Sequence, residues 1–136
     1  MVKVILGHAG AGKTKDIIDL VTKAVEEESG SVICIEKGAG LTYDLPYNVR
    51  LIDATEYDFS TVCFFKGFIS GLFSGNFDIT HIFVDGLNKL IDDNSEKNIE
   101  ALLDWLNVFS DRNSMRITVS VGMDEDTASE GVRKYL

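Results

Sequence analysis

The stretch MVKVILGHAGAGKT, residues 1–14, decides how the rest of the chain is read. Val2 to Leu6 is an apolar run ended by glycine, the pattern of a strand buried on both faces. Gly7 to Thr14 then spells GHAGAGKT, a complete GxxxxGK motif closed by a hydroxyl residue. From Lys13 the apolar period turns helical. Ile17, Val21, Ala24, Val25 and Glu28 share one face, with only the last polar, and Ser29-Gly30 supplies a stop. Strand, glycine-rich loop and helix are the setting in which this motif binds phosphate. Gly7, His8, Ala9, Gly10, Ala11 and Gly12 would turn successive N–H groups toward one anion. The helix would point its positive dipole end at the same place. Lys13 is expected to reach the β- and γ-phosphates of a nucleoside triphosphate, with Lys15 beside it in the binding set. The Thr14 hydroxyl is expected to ligate Mg²⁺.

Outward from this stretch, strands and helices alternate. Ser31 to Glu36 (SVICIE) reads as a second buried strand, and Val49 to Asp53 (VRLID) as an alternating segment suited to a sheet edge. Ser60 to Gly75 reads as a helix apolar on nearly every side. Its Gly67, Gly71 and Gly75 form a bare stripe, expected to pack closely against a sheet or helix. Ile79 to Val84 is a third buried strand, ending at Asp85-Gly86. Asn94-Ser95 can cap an amphipathic helix with Ile99, Leu102, Leu103, Leu106 and Phe109 on its apolar face. Met115 to Val121 is a fourth apolar strand, and Thr127 with Glu130 makes a capping-box pair for a last short helix. This order predicts one α/β domain over residues 1–136, three layers deep, with a mostly parallel sheet between helices.

Composition narrows the function. At 136 residues, 45% apolar and 26% charged, the chain has the make-up of an ordinary globular domain. Its 13 basic and 22 acidic residues give a formal charge of −9, which argues against nucleic acid as a partner. MVKVILG is too short and too soon glycine-broken for a signal peptide. The apolar stretch from Val62 to Phe77 is too interrupted for a membrane span. Cys34 and Cys63 lie among apolar neighbours without metal-ligand spacing, so both are expected to be reduced and buried in a cytoplasmic protein.

Three further residues complete the expected site. Asp85 ends the third strand, where its carboxylate would emerge beside the loop and hold Mg²⁺; the plain alternative is a turn-forming aspartate before glycine. Many ATPases of this kind carry a glutamate directly after that aspartate, but here the position is Gly86. Glu36, at the end of the second strand, is the candidate catalytic carboxylate, alongside Lys13; otherwise it is a solvated glutamate at a strand end. Ser120, near the end of the fourth strand, is a candidate γ-phosphate contact or a small polar residue satisfied by backbone.

Taken together, GHAGAGKT, VICIE, VRLID, HIFVDGLNKL and RITVSVG resemble a reduced RecA-like ATPase core, nearest the KaiC-type and replicative-helicase branch. The resemblance implies that Glu36 is the catalytic carboxylate, that Asp85 serves Mg²⁺ and that Ser120 acts as a sensor. It also implies that the first strand lies between the fourth strand and a fifth. That fifth strand is missing, because ASEGVRKYL resembles only the stretch before it. The first strand would then be a sheet edge, favouring a homo-oligomer or a partner protein, unless the C-terminal segment folds back over it.

The leading expectation is an ATP-binding protein with weak or partner-dependent Mg²⁺-dependent ATPase activity. The alternatives are a nucleotide-binding module that never hydrolyses, and a small-molecule kinase. The kinase reading is disfavoured because Arg50, Arg112, Arg116 and Arg133 form no lid-like cluster.

Overall fold

The computed structural model describes residues 1–8, 12–38, 40–41 and 44–136. Five strands, β1 (Val2–Gly7), β2 (Ser31–Glu36), β3 (Arg50–Asp53), β4 (Ile79–Asp85) and β5 (Arg116–Gly122), form one sheet in the order β1-β5-β4-β2-β3. Every pairing between them is parallel. The helices are α1 (Lys13–Glu27), α2 (Val62–Gly75), α3 (Leu87–Leu90), α4 (Glu96–Arg112) and α5 (Glu130–Arg133). This is the expected α/β architecture.

Connection handedness explains the layering. From β1 to β2 the chain travels past β5 and β4 in one direction, through α1. From β3 to β4 and from β4 to β5 it returns the other way, through α2 and then α3 and α4. Right-handed crossovers running in opposite directions lie on opposite faces of a sheet. Accordingly Ile17, Val21 and Ala24 of α1 pack with Val32, Cys34 and Phe83 on one face. Phe65 and Ile69 of α2 join Ile99, Leu102, Leu103 and Leu106 of α4 against Ile35, Val84 and Val119 on the other. Those four α4 side chains are wholly buried, and each contributes about 1.5–3 kcal/mol by leaving water. Ser95 caps α4 by accepting the Asn98 N–H, as its sequence predicts.

Several expectations change. Strand β1 is fully buried only on the α2–α4 face, through Val2 and Val4; on the α1 face Lys3 is exposed and Ile5 only partly buried. Cys34 is buried, with its thiol pushed up to about 12 chiefly by burial, but Cys63 is exposed on α2. The Thr127–Glu130 capping box does not form. Helix α5 begins after Ser129, whose N–H donates to Glu96 Oε1 at 2.8 Å and whose hydroxyl donates to Glu100, so α4 holds this end instead.

Strand β1 is a sheet edge, as anticipated, yet two of its outward amides are occupied. The Val2 N–H donates to Asn107 Oδ1 at 3.2 Å, and the Val4 N–H to the Tyr135 carbonyl at 2.8 Å. The segment after α5 is held there by wholly buried Val132 and by the Tyr135 hydroxyl on Asp104 Oδ1 at 2.5 Å. The C-terminal segment thus folds back over the edge, which removes the unpaired amides of Val2 and Val4 as a reason for association. Among the described residues, no helix is long and apolar enough to cross a membrane.

The glycine stripe of α2 does not pack closely. A Cβ at Gly67, Gly71 or Gly75 would meet nothing within 4 Å, and Gly67 and Gly71 border an open groove beside β3. Nothing in the structure requires glycine there, and each helical glycine costs about 0.5–1 kcal/mol against alanine. Gly67→Ala and Gly71→Ala should therefore each raise stability by about that amount, read as a higher urea midpoint. A lower midpoint in either variant would mean that this helix face is covered.

Candidate functional site

Strand register assembles the site. Glu36 stands beside Asp85 on β4 and beside Asp53 on β3. Val84 pairs with Val119, which sets Asp85 next to Ser120, and Ser120 pairs with Ile5. Side chains alternate along a strand, so residues two apart share a face. Cys34, Phe83 and Leu51 pack on the α1 side, and Glu36, Asp85 and Asp53 follow them there. Thr118 bonds His81 on that same side at 2.8 Å, so Ser120 does too. One row of polar side chains therefore crosses four strands at their carboxyl ends, on the face where α1 begins.

Local backbone chemistry brings α1 to this row. Gly12 has φ +88°, a left-handed conformation that side chains disfavour, and helix α1 starts at the next residue. Gly86 repeats the device after β4, with φ +81° before α3. Loops leaving β1 and β4 therefore diverge to opposite faces, opening a crevice at the carboxyl edge of the sheet, where α/β folds place ligands. The resulting cavity measures about 520 Å³ and is lined by Gly12, Lys13, Thr14, Asp85, Gly86, Asn88, Lys89, Ser120 and Gly122.

Hydrogen bonds fix most of these groups. Wholly buried Ser120 donates its hydroxyl proton to Asp85 Oδ1 at 2.8 Å and accepts the Gly86 N–H at 2.7 Å. The Thr14 hydroxyl donates to Asp85 Oδ2 at 3.4 Å. Lys13 Nζ donates to the carbonyls of Gly7 at 2.5 Å and His8 at 2.7 Å. Burial, and then the charge of Lys89, draws the Lys13 pKa below its ordinary value, while Asp85 opposes the shift.

The predicted residues do not all meet. Lys13, Thr14, Asp85 and Ser120 share the cavity, but Glu36 does not line it. Its Oε1 accepts the Leu41 N–H at 2.8 Å, and the side chain is buried one strand away. Burial raises the Glu36 pKa, the Leu41 amide opposes that, and the charges of Asp85 and Asp53 push it further up. Asp53 goes the other way, held down by the Thr55 hydroxyl and amide and by the Gly38 amide. Exposed Lys15 stays outside the cavity. His8 is also exposed, with Nε2 3.8 Å from Asp124 Oδ2. Gly7 ends β1 and supplies a carbonyl to Lys13. Ala9, Gly10 and Ala11 lie outside the described residues.

Two cavity residues escaped the reading of the sequence. Asn88 Oδ1 accepts the Gly122 N–H at 2.8 Å, and Lys89 lines the same cavity as Lys13. The signal was the spacing in GLNKL, where Leu87 and Leu90 are buried and the two residues between them must turn outward.

For a metal, the described residues contain no cluster of three or more His, Cys, Asp or Glu side chains. The Thr14 hydroxyl and Asp85 carboxylate are hard oxygen donors facing each other. Two such ligands suit Mg²⁺, which keeps several waters and takes the rest of its shell from phosphate. No protein-family model matches the chain, and no curated protein sequence does either.

The raised Glu36 pKa carries a consequence for stability. A carboxyl whose folded pKa lies above its ordinary 4.5 opposes folding when ionised. That penalty is full above the folded value and vanishes as pH falls through 4.5. Glu36→Gln keeps an acceptor for the Leu41 amide. It should therefore be more stable than wild type at pH 8, with the gain fading toward pH 4 in denaturant titrations. A gain that does not change with pH would show that Glu36 ionises unhindered in the fold.

Proposed function

We propose that the chain binds a nucleoside triphosphate, ATP as the expected one, together with Mg²⁺, and hydrolyses it slowly. One observation carries this reading: Lys13 and Thr14 of the GHAGAGKT motif share a single cavity with Asp85 and Ser120. The amino end of α1 opens into that cavity and favours anions there. Lys13 now holds the Gly7 and His8 carbonyls, and would exchange them for phosphate oxygens. Thr14 and Asp85 would hold Mg²⁺, which supplies charge neutralisation at the β- and γ-oxygens. Ser120 spends its hydroxyl on Asp85 and the Gly86 amide. Its role is to aim the Asp85 carboxylate rather than to touch phosphate.

The resemblance to a RecA-like core gains support from β1 lying directly beside β5. Glu36 is the candidate base, its burial raising the pKa and making it a stronger proton acceptor than a solvated glutamate. It must leave the Leu41 amide to reach a water in the cavity, which is why turnover is expected to be slow. That same tether favours a second reading, a module that binds nucleotide without hydrolysing it.

Titration calorimetry with Mg²⁺–ATP should show saturable binding by wild type and none by Lys13→Ala. Equal binding by the two proteins would overturn the reading. Glu36→Gln should keep its affinity and lose at least tenfold in ADP release, the lower end of what a positioned general base contributes. If wild type binds ATP but releases no ADP under any condition, the non-hydrolysing module replaces the ATPase.

A further inference from the structure

Lys89 lines the same cavity as Lys13, although no motif assigns it there. A short local device puts it in place. Gly86 takes its left-handed turn, and α3 follows at once. Wholly or almost wholly buried Leu87 and Leu90 pin the inner side of that helical turn. Asn88 clamps the turn to β5 through the Gly122 amide. The stem of Lys89 lies across Gly86, where an added Cβ would stand 3.1 Å from Lys89 Cδ. Its ammonium is exposed, and among the described residues no carboxylate lies within salt-bridge distance of it. Lys13, by contrast, is already bound to two carbonyls. The cavity is thus bordered by a second cation, with no salt-bridge partner among the described residues, on a braced stem four residues beyond the aspartate that faces Thr14; the same side chain also borders the neighbouring pocket beside β3, and its charge reaches Glu36.

We infer that Lys89 reads the terminal phosphate, its ammonium binding γ-phosphate oxygens and so separating a nucleoside triphosphate from the diphosphate. The inference rests on the phosphate-site reading above. The Thr14–Asp85 pair would hold the cation that neutralises charge on the phosphate chain. Lys89 leaves the same β4–α3 turn as Asp85, so it meets the far end of the phosphate chain, while Lys13 meets the side nearer α1. The influence of Lys89 on Lys13 agrees with two ammonium groups sharing one space. Such a space suits a ligand with several negative charges.

Calorimetry with Mg²⁺–ATP and Mg²⁺–ADP on wild type, Lys89→Met, Lys89→Arg and Lys13→Ala tests this. Methionine keeps much of the stem packed on Gly86 and removes the charge. A charge-assisted hydrogen bond corresponds to roughly a tenfold to hundredfold change in affinity. Lys89→Met should therefore weaken ATP binding at least tenfold and leave ADP binding within about twofold. Lys89→Arg should recover most of the preference for ATP. Equal weakening for both nucleotides, or no weakening, would overturn the role of Lys89 while leaving the phosphate site intact. Loss of the phosphate-site reading itself gives a different pattern, in which wild type and Lys13→Ala behave alike. Circular dichroism of Lys89→Met should match wild type. If it does not, Lys89→Gln replaces it, judged by the same ratio of ATP to ADP affinity.

Discussion

Side chains in a strand alternate between faces, and parallel pairing keeps that alternation in step from one strand to the next. Because of this constraint, Ser120, Asp85, Glu36 and Asp53 all emerge on the side from which α1 departs. A one-residue slip of β4 against β5 would carry Asp85 into the apolar layer under α4. The apolar residues between these polar ends guard against it, since Ile82, Val84, Ile117 and Val119 are wholly buried. Core packing thereby sets the position of the polar groups, and Ser120 adds a direct tie across the two strands at the point where chemistry is expected.

The three carboxylates in this row meet the same crowding in different ways. Asp85 is shared between two hydroxyls, Asp53 is bound by amides and a hydroxyl, and Glu36 has one amide and the deepest burial. Their pKa values are separated accordingly, down at Asp53 and up at Glu36. Neighbouring carboxyls with divergent environments are how one site obtains both a permanent anion and a proton acceptor. At the far end of α1, His81 joins the helix to the sheet, with Nδ1 2.8 Å from Glu28 Oε2 and Nε2 2.8 Å from Thr118 Oγ1. The helix is therefore anchored at the end away from the cavity.

Elements whose period and punctuation agree were legible from residues alone. The buried strands β2, β4 and β5, the α4 face with its Ser95 cap, the edge character of VRLID and the meeting of Lys13, Thr14, Asp85 and Ser120 all follow from local pattern. What pattern withholds is which face of an element finds a neighbour. Helix α2 is apolar almost all round, so nothing in its sequence said that Gly67, Gly71 and Cys63 would lie outward. Thr127 and Glu130 have capping-box spacing, but the acidic side chains of α4 compete for Ser129 and prevail. Glu36 reaches the expected sheet edge, yet the turn at Leu41 takes hold of its carboxylate, a contact that depends on how the β2–β3 connection folds.

The edge position of β1 governs when the site can exist. Among the described residues its one strand partner is β5, and Val2 pairs with Ile117, so the first strand waits for the last one. Contacts between such distant parts of a chain form slowly, because a long loop must close before they repay its lost entropy. On a ribosome, β2, β3 and β4 can emerge and associate while β1 remains without its place. The Lys13 segment hangs from β1, so the cavity it lines would be among the last features of the molecule to form. Until then, a glycine-rich loop and an apolar strand stay exposed to whatever else is in the cell.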